Sequence, residues 1–544
     1  MFKRPTNVDL LIAAVFVALI TFQPYFLHGR INVFELGIYL PNIDAILNGK
    51  VPYRDFFCLR GPFELYMPAA LMAAFGKNVA VLSTYFYVGT IITLVMCALI
   101  AKELYRGRLF FYLMIPVLVA RTFPRVVFTY WGGMRFALGL MAVYGVIRYI
   151  KSDKVVWMFI AGLLTALSFL TSMEIGVCAL VSAGSTLIGR GVFDSQARKT
   201  FPRALGFYVL GLAFICISYA LYLIQQHAVG AYLEVTQSVL RNMTTVFIQT
   251  EPVPNSMIDV VFAMLNPSSK NFRHATPLYA YIFFTVYFFL QIKNAKLSKE
   301  DWGIFVLATY GFIIYCAAFR NLWANAFEMA LQPEKIVLFW LLEGFCLWGL
   351  SLQPLKVPRK VFLAVLTGIV LSSVFYPIAR FHKRFFVFQL LSGKKFAMIK
   401  PLKDEEGIEL HLKRVAYMTV PVGQARDFEE LDAFFRKNTN AREPVLMFPE
   451  MAFYYFLLDR PYIGRFPMVS FTWLNDRWHE EFMNDLRTTN PRWAVVPKTF
   501  PDWYYYQYFK VAGNKLKFDE VMNYVHGRYE IIASTSSFDI FRLQ

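Results

Sequence analysis

The chain has 544 residues, of which 57% are hydrophobic, 18% aromatic and 17% charged. Soluble domains carry nearer a quarter charged residues, so this composition excludes an ordinary soluble enzyme and points to an integral membrane protein. The net charge of +18 calls for no nucleic acid, because the cytoplasmic loops of membrane proteins collect Lys and Arg.

The first apolar run, at about 9–27, opens with LLIAAVFVALITF (10–22) behind Lys3 and Arg4. The chain continues QPYFLHGR, without a small-residue cleavage site, so the run reads as a retained first helix rather than a removed signal. A helix needs roughly 20 apolar residues to cross about 30 Å of hydrocarbon.

A polar loop, 28–78, follows and carries Glu35, Asp44, Arg54, Asp55, Arg60 and Glu64. Within it, ELGIYLPNIDAILNGK (35–50) places Leu36, Ile38, Leu40, Ile43, Ile46 and Leu47 largely on one side of a short helix that Gly49 ends. That pattern predicts a helix lying flat at the membrane interface, with Glu35 at the end where the helix dipole favours a carboxylate. The stretch VPYRDFFCLRGPFELY (51–66) comes next, with Pro52 and Pro62 stiffening a turn around Arg54 and Arg60.

Further apolar runs lie at about 79–101, 109–120, 134–150, 155–171, 173–189, 205–224, 277–292, 302–318, 335–351 and 361–379, about eleven spans in all. With the N-terminus inside, the inner loops are 102–108, 151–154, 190–203, 293–301 and 353–360, and each contains Lys or Arg. The pieces 28–78, 225–276 and the C-terminal tail then share the outer side. Glu174 sits in a tight outer turn. The basic segment 380–403 reads as an interfacial linker on anionic lipid. Five cysteines (Cys97, Cys178, Cys216, Cys316, Cys346) fall in apolar runs and Cys58 in a loop, which is no disulfide framework. The absence of CxxC, HExxH and GxxxxGK argues against structural zinc, zinc hydrolysis and P-loop ATP hydrolysis.

From 404 to 544 the chain is charged and has no spanning run. Helical spacing at 427–438 and 479–490 alternates with strand-like EPVLMFP (443–449), RWAVVP (492–497) and FDIFRL, and Gly527 is placed as the stop of a helix before a further strand. Helices alternating with short apolar strands predict a small α/β domain. The fold class is therefore mostly α, a polytopic membrane protein with a C-terminal extracytoplasmic α/β domain.

Charges near a bilayer are functional candidates. Arg54, Arg60, Arg121, Arg125, Arg135 and Arg320 all fall on the outer side, against the positive-inside trend. Guanidinium forks match phosphate oxygens, so the set suggests an anionic ligand there, with lipid headgroups as the plainer alternative.

The order of first helix, acidic loop, ILNGKVPYRDFF and RGPFELYMPAALMAAFG resembles the start of bacterial GT-C glycosyltransferases. These are the relatives of protein O-mannosyltransferases and of the lipid A aminoarabinose transferases. The family's acidic pair falls at Phe34-Glu35, its turn at Gly49–Asp55 and its basic-proline step at Arg60-Gly61-Pro62. GLLTALSFLTSMEIGVCAL, with Glu174, and FPEMAFYYFLLDRP resemble later parts of such chains. Phe34 departs from the acidic pair. Either Glu35 alone suffices, or Asp44 or Asp55 substitutes, or activity is lost.

The resemblance implies transfer of a sugar from a polyprenyl phosphate to an acceptor hydroxyl, with inversion, on the outer face of the bacterial cytoplasmic membrane. The acceptor is a glycan, lipid or protein. It implies Glu35 as base with Asp44 and Asp55 behind it, and Arg60 on the donor phosphate with Arg54, Arg125 and Arg320 in support. Glu174, Arg121 and Arg135 are further candidates. Some members use a divalent metal (Mg or Mn), for which Asp44 and Asp55 are the possible ligands. A transporter or flippase of a lipid-linked anion would use the same arginines without a base, and a non-catalytic scaffold would need neither.

Overall fold

The computed structural model describes residues 3–22, 26–122, 133–246, 257–266, 272–319, 324–351, 407–440, 442–500 and 508–544, with scattered positions between. Every apolar run up to residue 351 forms a helix: Asn7–Thr21, Val79–Leu104, Arg108–Thr122, Met134–Ser152, Val156–Thr171, Met173–Phe193, Ser195–Gln225, Phe272–Lys293, Lys299–Phe319 and Ala324–Ser351. Most of the run predicted at 361–379, and all of the basic segment 380–403, lie outside the described residues. By length and composition, Val79–Leu104, Met173–Phe193, Ser195–Gln225 and Ala275–Lys293 are long and apolar enough to cross a membrane.

The chain divides into two compact units. The first comprises Met1–Pro24, Phe86–Ser218 and Pro252–Ile399; the second comprises Tyr25–Tyr85, Tyr219–Glu251 and Lys400–Gln544. The first unit is a helical bundle around a continuous apolar core. Its outward faces are also apolar, with Leu11, Val15 and Leu19 exposed on one helix and Val209, Leu210, Phe214 and Ile217 on another. Such two-sided apolarity suits helices that meet protein on one face and lipid on the other. Where the helices Val156–Thr171 and Ser195–Gln225 cross, glycines face backbone. A Cβ at Gly162 would strike the Tyr208 carbonyl, and one at Gly211 the Phe159 carbonyl.

Four of the five loops assigned to one side by their Lys and Arg content meet, with the N-terminal segment, at one end of this bundle, and the fifth, 353–360, lies outside the described residues. Arg4 pairs with Glu300 at 2.9 Å, Arg148 with Glu103 at 3.0 Å and Lys151 with Glu103 at 3.7 Å. Lys299 pairs with Asp153, which Arg190 also approaches at 3.9 Å. A single miscounted span among these helices would send alternate loops to opposite ends, and the ion pairs would not form.

The second unit contains the polar segments. Its four-stranded sheet has β3 (Val445–Met447) parallel to β4 (Trp493–Pro497). β4 is antiparallel to β6 (Phe538–Leu543), and β6 to β5 (Tyr529–Ser534), giving the order β3-β4-β6-β5. A separate two-stranded pair joins β1 (Gly407–Glu409) to β2 (Thr419–Pro421). Helices Ala452–Leu457 and Ala512–Arg528 pack on the four-stranded sheet, Val422–Asn438 packs on the two-stranded pair, and Asp476–Thr489 packs on the Val469–Leu474 turn. Gly527 does not stop its helix, which runs through it to Arg528 until β5 pairing with β6 takes over at Tyr529.

The predicted interfacial helix is Val33–Leu47, with Gly49 at φ +81 just past its end. It does not present one apolar face and one wet face. Every residue from Glu35 to Ile43 is buried, because the Ala452–Leu457 helix covers the side that composition left open. A helix apolar almost all round belongs inside protein, and here the cover comes from over 400 residues further along the chain.

Candidate active site

Asn32 caps the Val33–Leu47 helix, its side-chain oxygen accepting from the Glu35 N–H at 3.1 Å. This fixes the first turn and sets Glu35 where the unsatisfied N–H groups of a helix start favour negative charge. The turn at 51–62 returns the chain to this helix. Arg60, 25 residues on, reaches the Glu35 carboxylate at 3.2 Å, and its guanidinium lies 5.7 Å from the centre of the Tyr39 ring. Only 12% of the Glu35 side chain and 17% of the Arg60 side chain is exposed. A carboxylate and a guanidinium side by side, shielded from bulk water but reachable, can accept a proton and hold an anion.

The other predicted carboxylates are committed elsewhere. Asp44 pairs with Lys77 at 2.7 Å and with Arg414 at 3.5 Å. Asp55 accepts from Arg54 through both oxygens at 2.7 and 2.8 Å and from the Val51 N–H at 2.8 Å. The Arg54 bonds hold its carboxyl below the usual carboxylate range. Arg54 spends its remaining nitrogen on the Gln226 carbonyl at 2.9 Å, so it ties the loop to the segment after the Ser195–Gln225 helix. With cations already on them, Asp44 and Asp55 do not fit a divalent metal. Among the described residues no group of three His, Cys, Asp or Glu side chains is placed to hold one.

Glu174 lies exposed in the first turn of Met173–Phe193 and Arg135 is buried in Met134–Ser152, its guanidinium 4.9 Å from the centre of the Phe136 ring. Both belong to the first unit, whereas Glu35 and Arg60 belong to the second. Arg121 lies in the last turn of the Arg108–Thr122 helix; Arg125 and Arg320 lie outside the described residues.

Three arrangements escaped the sequence reading. Glu64, named there only as a charge of the polar loop, is fully buried one turn beyond Arg60 and accepts from the Tyr85 hydroxyl at 3.0 Å. Around Cys58, whose thiol burial pushes up to about 12, tyrosines 53, 66, 219, 222 and 232 collect, with the Tyr66 and Tyr222 hydroxyls 2.7 Å apart. These tyrosines come from two stretches far apart in sequence, 53–66 and 219–232, so no local pattern announces them.

The third is Glu450, just after β3. It accepts from the Tyr508 hydroxyl at 2.7 Å and the Ser470 hydroxyl at 2.9 Å. Burial pushes its carboxyl up from 4.5 to about 7. A raised folded-state value means that stability is full below the unfolded value and is lost as pH rises through the folded one. The thermal midpoint of the solubilised protein is therefore expected to fall as pH rises between about 5 and 8, and Glu450→Gln to flatten that slope. An identical slope in the variant would assign the pH dependence to other groups.

Two solved structures of ArnT from Cupriavidus metallidurans are similar to this chain. The one bound to undecaprenyl phosphate aligns with a TM-score of 0.53 at 10% identity, covering 98% of this chain and 97% of that one. The apo state aligns with a TM-score of 0.52 at 12% identity over the same shares. No family model matches the sequence, and no curated protein matches it. At these identities the likeness is one of fold: the chain shares the overall fold of these structures, mostly helical with several membrane-length apolar helices and a strand-containing C-terminal segment.

Proposed function

We propose that this chain is a GT-C glycosyltransferase that transfers a sugar from a polyprenyl-phosphate donor to an acceptor hydroxyl, with inversion, on the outer face of the bacterial cytoplasmic membrane. The observation that carries this reading is the Glu35–Arg60 pair, 3.2 Å apart and largely shielded from solvent. The similar ArnT structure holds undecaprenyl phosphate, which supports the same class of lipid on this fold.

In the reaction, the acceptor O–H gives its proton to the Glu35 carboxylate as its oxygen attacks the anomeric carbon. The bond from that carbon to the phosphate oxygen breaks, and its electron pair leaves with the polyprenyl phosphate. Charge grows on the phosphate, and Arg60 is placed to meet it. When a donor phosphate draws the guanidinium, the ion pair with Glu35 loosens and the carboxylate becomes a better acceptor for the acceptor's proton. Docking of the donor and readiness of the base are thereby coupled through one salt bridge.

The test is incubation of purified protein with a panel of radiolabelled polyprenyl-phosphate sugars and a membrane-glycan acceptor extract. Label should move from lipid to acceptor. Binding of every donor without transfer of any would end this reading in favour of transport.

Two features support the outer face: the basic loops gather at one end of the bundle, and the loop bearing the pair groups with the C-terminal segment. Protease added to intact spheroplasts is accordingly expected to cut the 407–544 segment while leaving the 102–108 and 293–301 loops intact. Protection of the C-terminal segment would reverse the assignment.

A further inference from the structure

The polar loop carrying Glu35 is held along its length by the chain's C-terminal third. Thr419 exchanges backbone hydrogen bonds with Leu27 and Gly29, at 3.2 and 2.7 Å. At Ile31 a side chain replaces a strand. Gln424 accepts from the Ile31 N–H at 2.8 Å and donates to the Ile31 carbonyl at 2.9 Å, bridging 393 residues of sequence. Ile31 is buried, and the next residue is Asn32, the cap whose oxygen fixes the Glu35 N–H. Two residues after Glu35, Gly37 rests against Ala452 and Phe453. A Cβ there would lie 3.1 Å from the Phe453 nitrogen and 3.2 Å from both Ala452 Cβ and Met468 Cε. On the arginine side of the pair, the Phe57 N–H donates to the Arg465 carbonyl at 2.7 Å, and the Phe57 ring packs among Phe466, Phe471 and Trp478.

We propose that Gln424 is a positioning residue for Glu35: its two hydrogen bonds to Ile31 set the place of the Asn32 cap and hence the direction in which the Glu35 carboxylate is presented. This deepens the transferase reading and rests on it for its kinetic arm. The physical reason is that an N-cap fixes a helix start only as firmly as the cap is held. Among the described residues, the Gln424 amide is the pairing partner of the Ile31 backbone on this side. A side-chain amide matches a peptide group in spacing, so it continues the Thr419 pairing by one residue where the C-terminal chain has already turned into the Val422–Asn438 helix. Gln424 touches no reacting group, so its effect must appear in turnover rather than in donor binding.

The test uses the full-length protein and Gln424→Ala, which removes two hydrogen bonds and leaves the packing at Gly37 and Phe57. A displacement of about 1 Å at the base is expected to lower kcat roughly 10–100-fold. The KM for donor and the affinity for undecaprenyl phosphate should stay within about twofold, since Arg60 is held separately through Phe57. Hydrogen exchange supplies the arm that needs no activity: the Ile31 and Glu35 amides should exchange at least about tenfold faster in the variant, while the Gly29 amide, bonded to Thr419, stays protected. An unchanged kcat in an active protein, or a kcat loss that only follows the fraction folded, overturns the proposal. So does unchanged exchange at Glu35. A wild type that transfers nothing, with exchange at Glu35 still governed by Gln424, rejects the transferase reading while leaving the cap arrangement in place.

Discussion

Glu35→Gln is expected to remove sugar transfer almost completely while leaving donor binding intact. The substitution keeps the shape of the side chain and its place one turn into the Val33–Leu47 helix, and removes only the ability to take a proton. General-base assistance is worth about 10²–10⁴-fold, and kcat should fall by that much. Polyprenyl-phosphate affinity should hold or rise, because the neutral amide no longer competes with phosphate for the Arg60 guanidinium 3.2 Å away. Asp44→Asn and Asp55→Asn are the comparisons that give the result meaning. Both carboxylates are bound by cations, Lys77 and Arg414 in one case and Arg54 in the other, so their loss should act through folding of the loop rather than through the proton. Single-turnover transfer and a lipid-binding measurement on the same preparations separate the two effects. Full transfer by Glu35→Gln, or a kcat loss confined to Asp44→Asn or Asp55→Asn, would move the base away from Glu35. Phe34 would then mark a site reorganised from the family pattern.

Arg60→Ala is the second large effect. A fixed guanidinium beside a leaving phosphate acts where charge develops, and losing one such donor costs about 10²–10³-fold in kcat. Here the cost extends to binding, because Arg60 is the cation presented at this pair and its fork matches two phosphate oxygens. Arg60→Lys keeps the charge but not the fork and should recover only part of the loss. Arg60→Ala also removes a cation 3.2 Å from the Glu35 carboxylate in a shielded place. Thermal stability should therefore fall in Arg60→Ala and recover when Glu35→Gln is added, whereas transfer stays lost in the double variant. Measuring kcat, KM for donor and thermal midpoint across the four proteins checks this. An Arg60→Ala protein with unchanged donor KM and kcat would exclude Arg60 from the phosphate site. Arg54→Ala is expected to differ, since that guanidinium joins Asp55 to the Gln226 carbonyl and its loss should loosen the turn.

The two units differ in how openly the chain declares them. Lys and Arg at 102–108, 151–154 and 293–301 mark one side because each short loop sits next to the apolar run that ends there. The Arg4–Glu300, Lys151–Glu103 and Lys299–Asp153 pairs then follow from helices crossing in alternate directions. The second unit is built from three separate stretches, 25–85, 219–251 and 400–544, and nothing local says that they fold together. The Val33–Leu47 helix shows the consequence. Its apolar residues are legible as one side of a short helix, and so is its end at Gly49, but the identity of the surface that buries it is not. That surface is protein, because Gly37 leaves room for the Ala452–Leu457 helix to approach.

From the residues alone came the apolar helices up to residue 351, the basic loops between them, the polar first loop with Glu35 and Arg60 in it, and the helix–strand order of the C-terminal segment. All of these depend on neighbours within a few turns of chain, where run length, period and capping act. Only the tertiary structure decided that Arg60 meets Glu35 while Arg54, Asp44 and Asp55 are occupied, that Gln424 holds Ile31, and that Glu450 is buried between two hydroxyls. Each of those facts joins residues brought together by packing. Close packing selects among partners by shape and desolvation, which no single stretch of sequence carries.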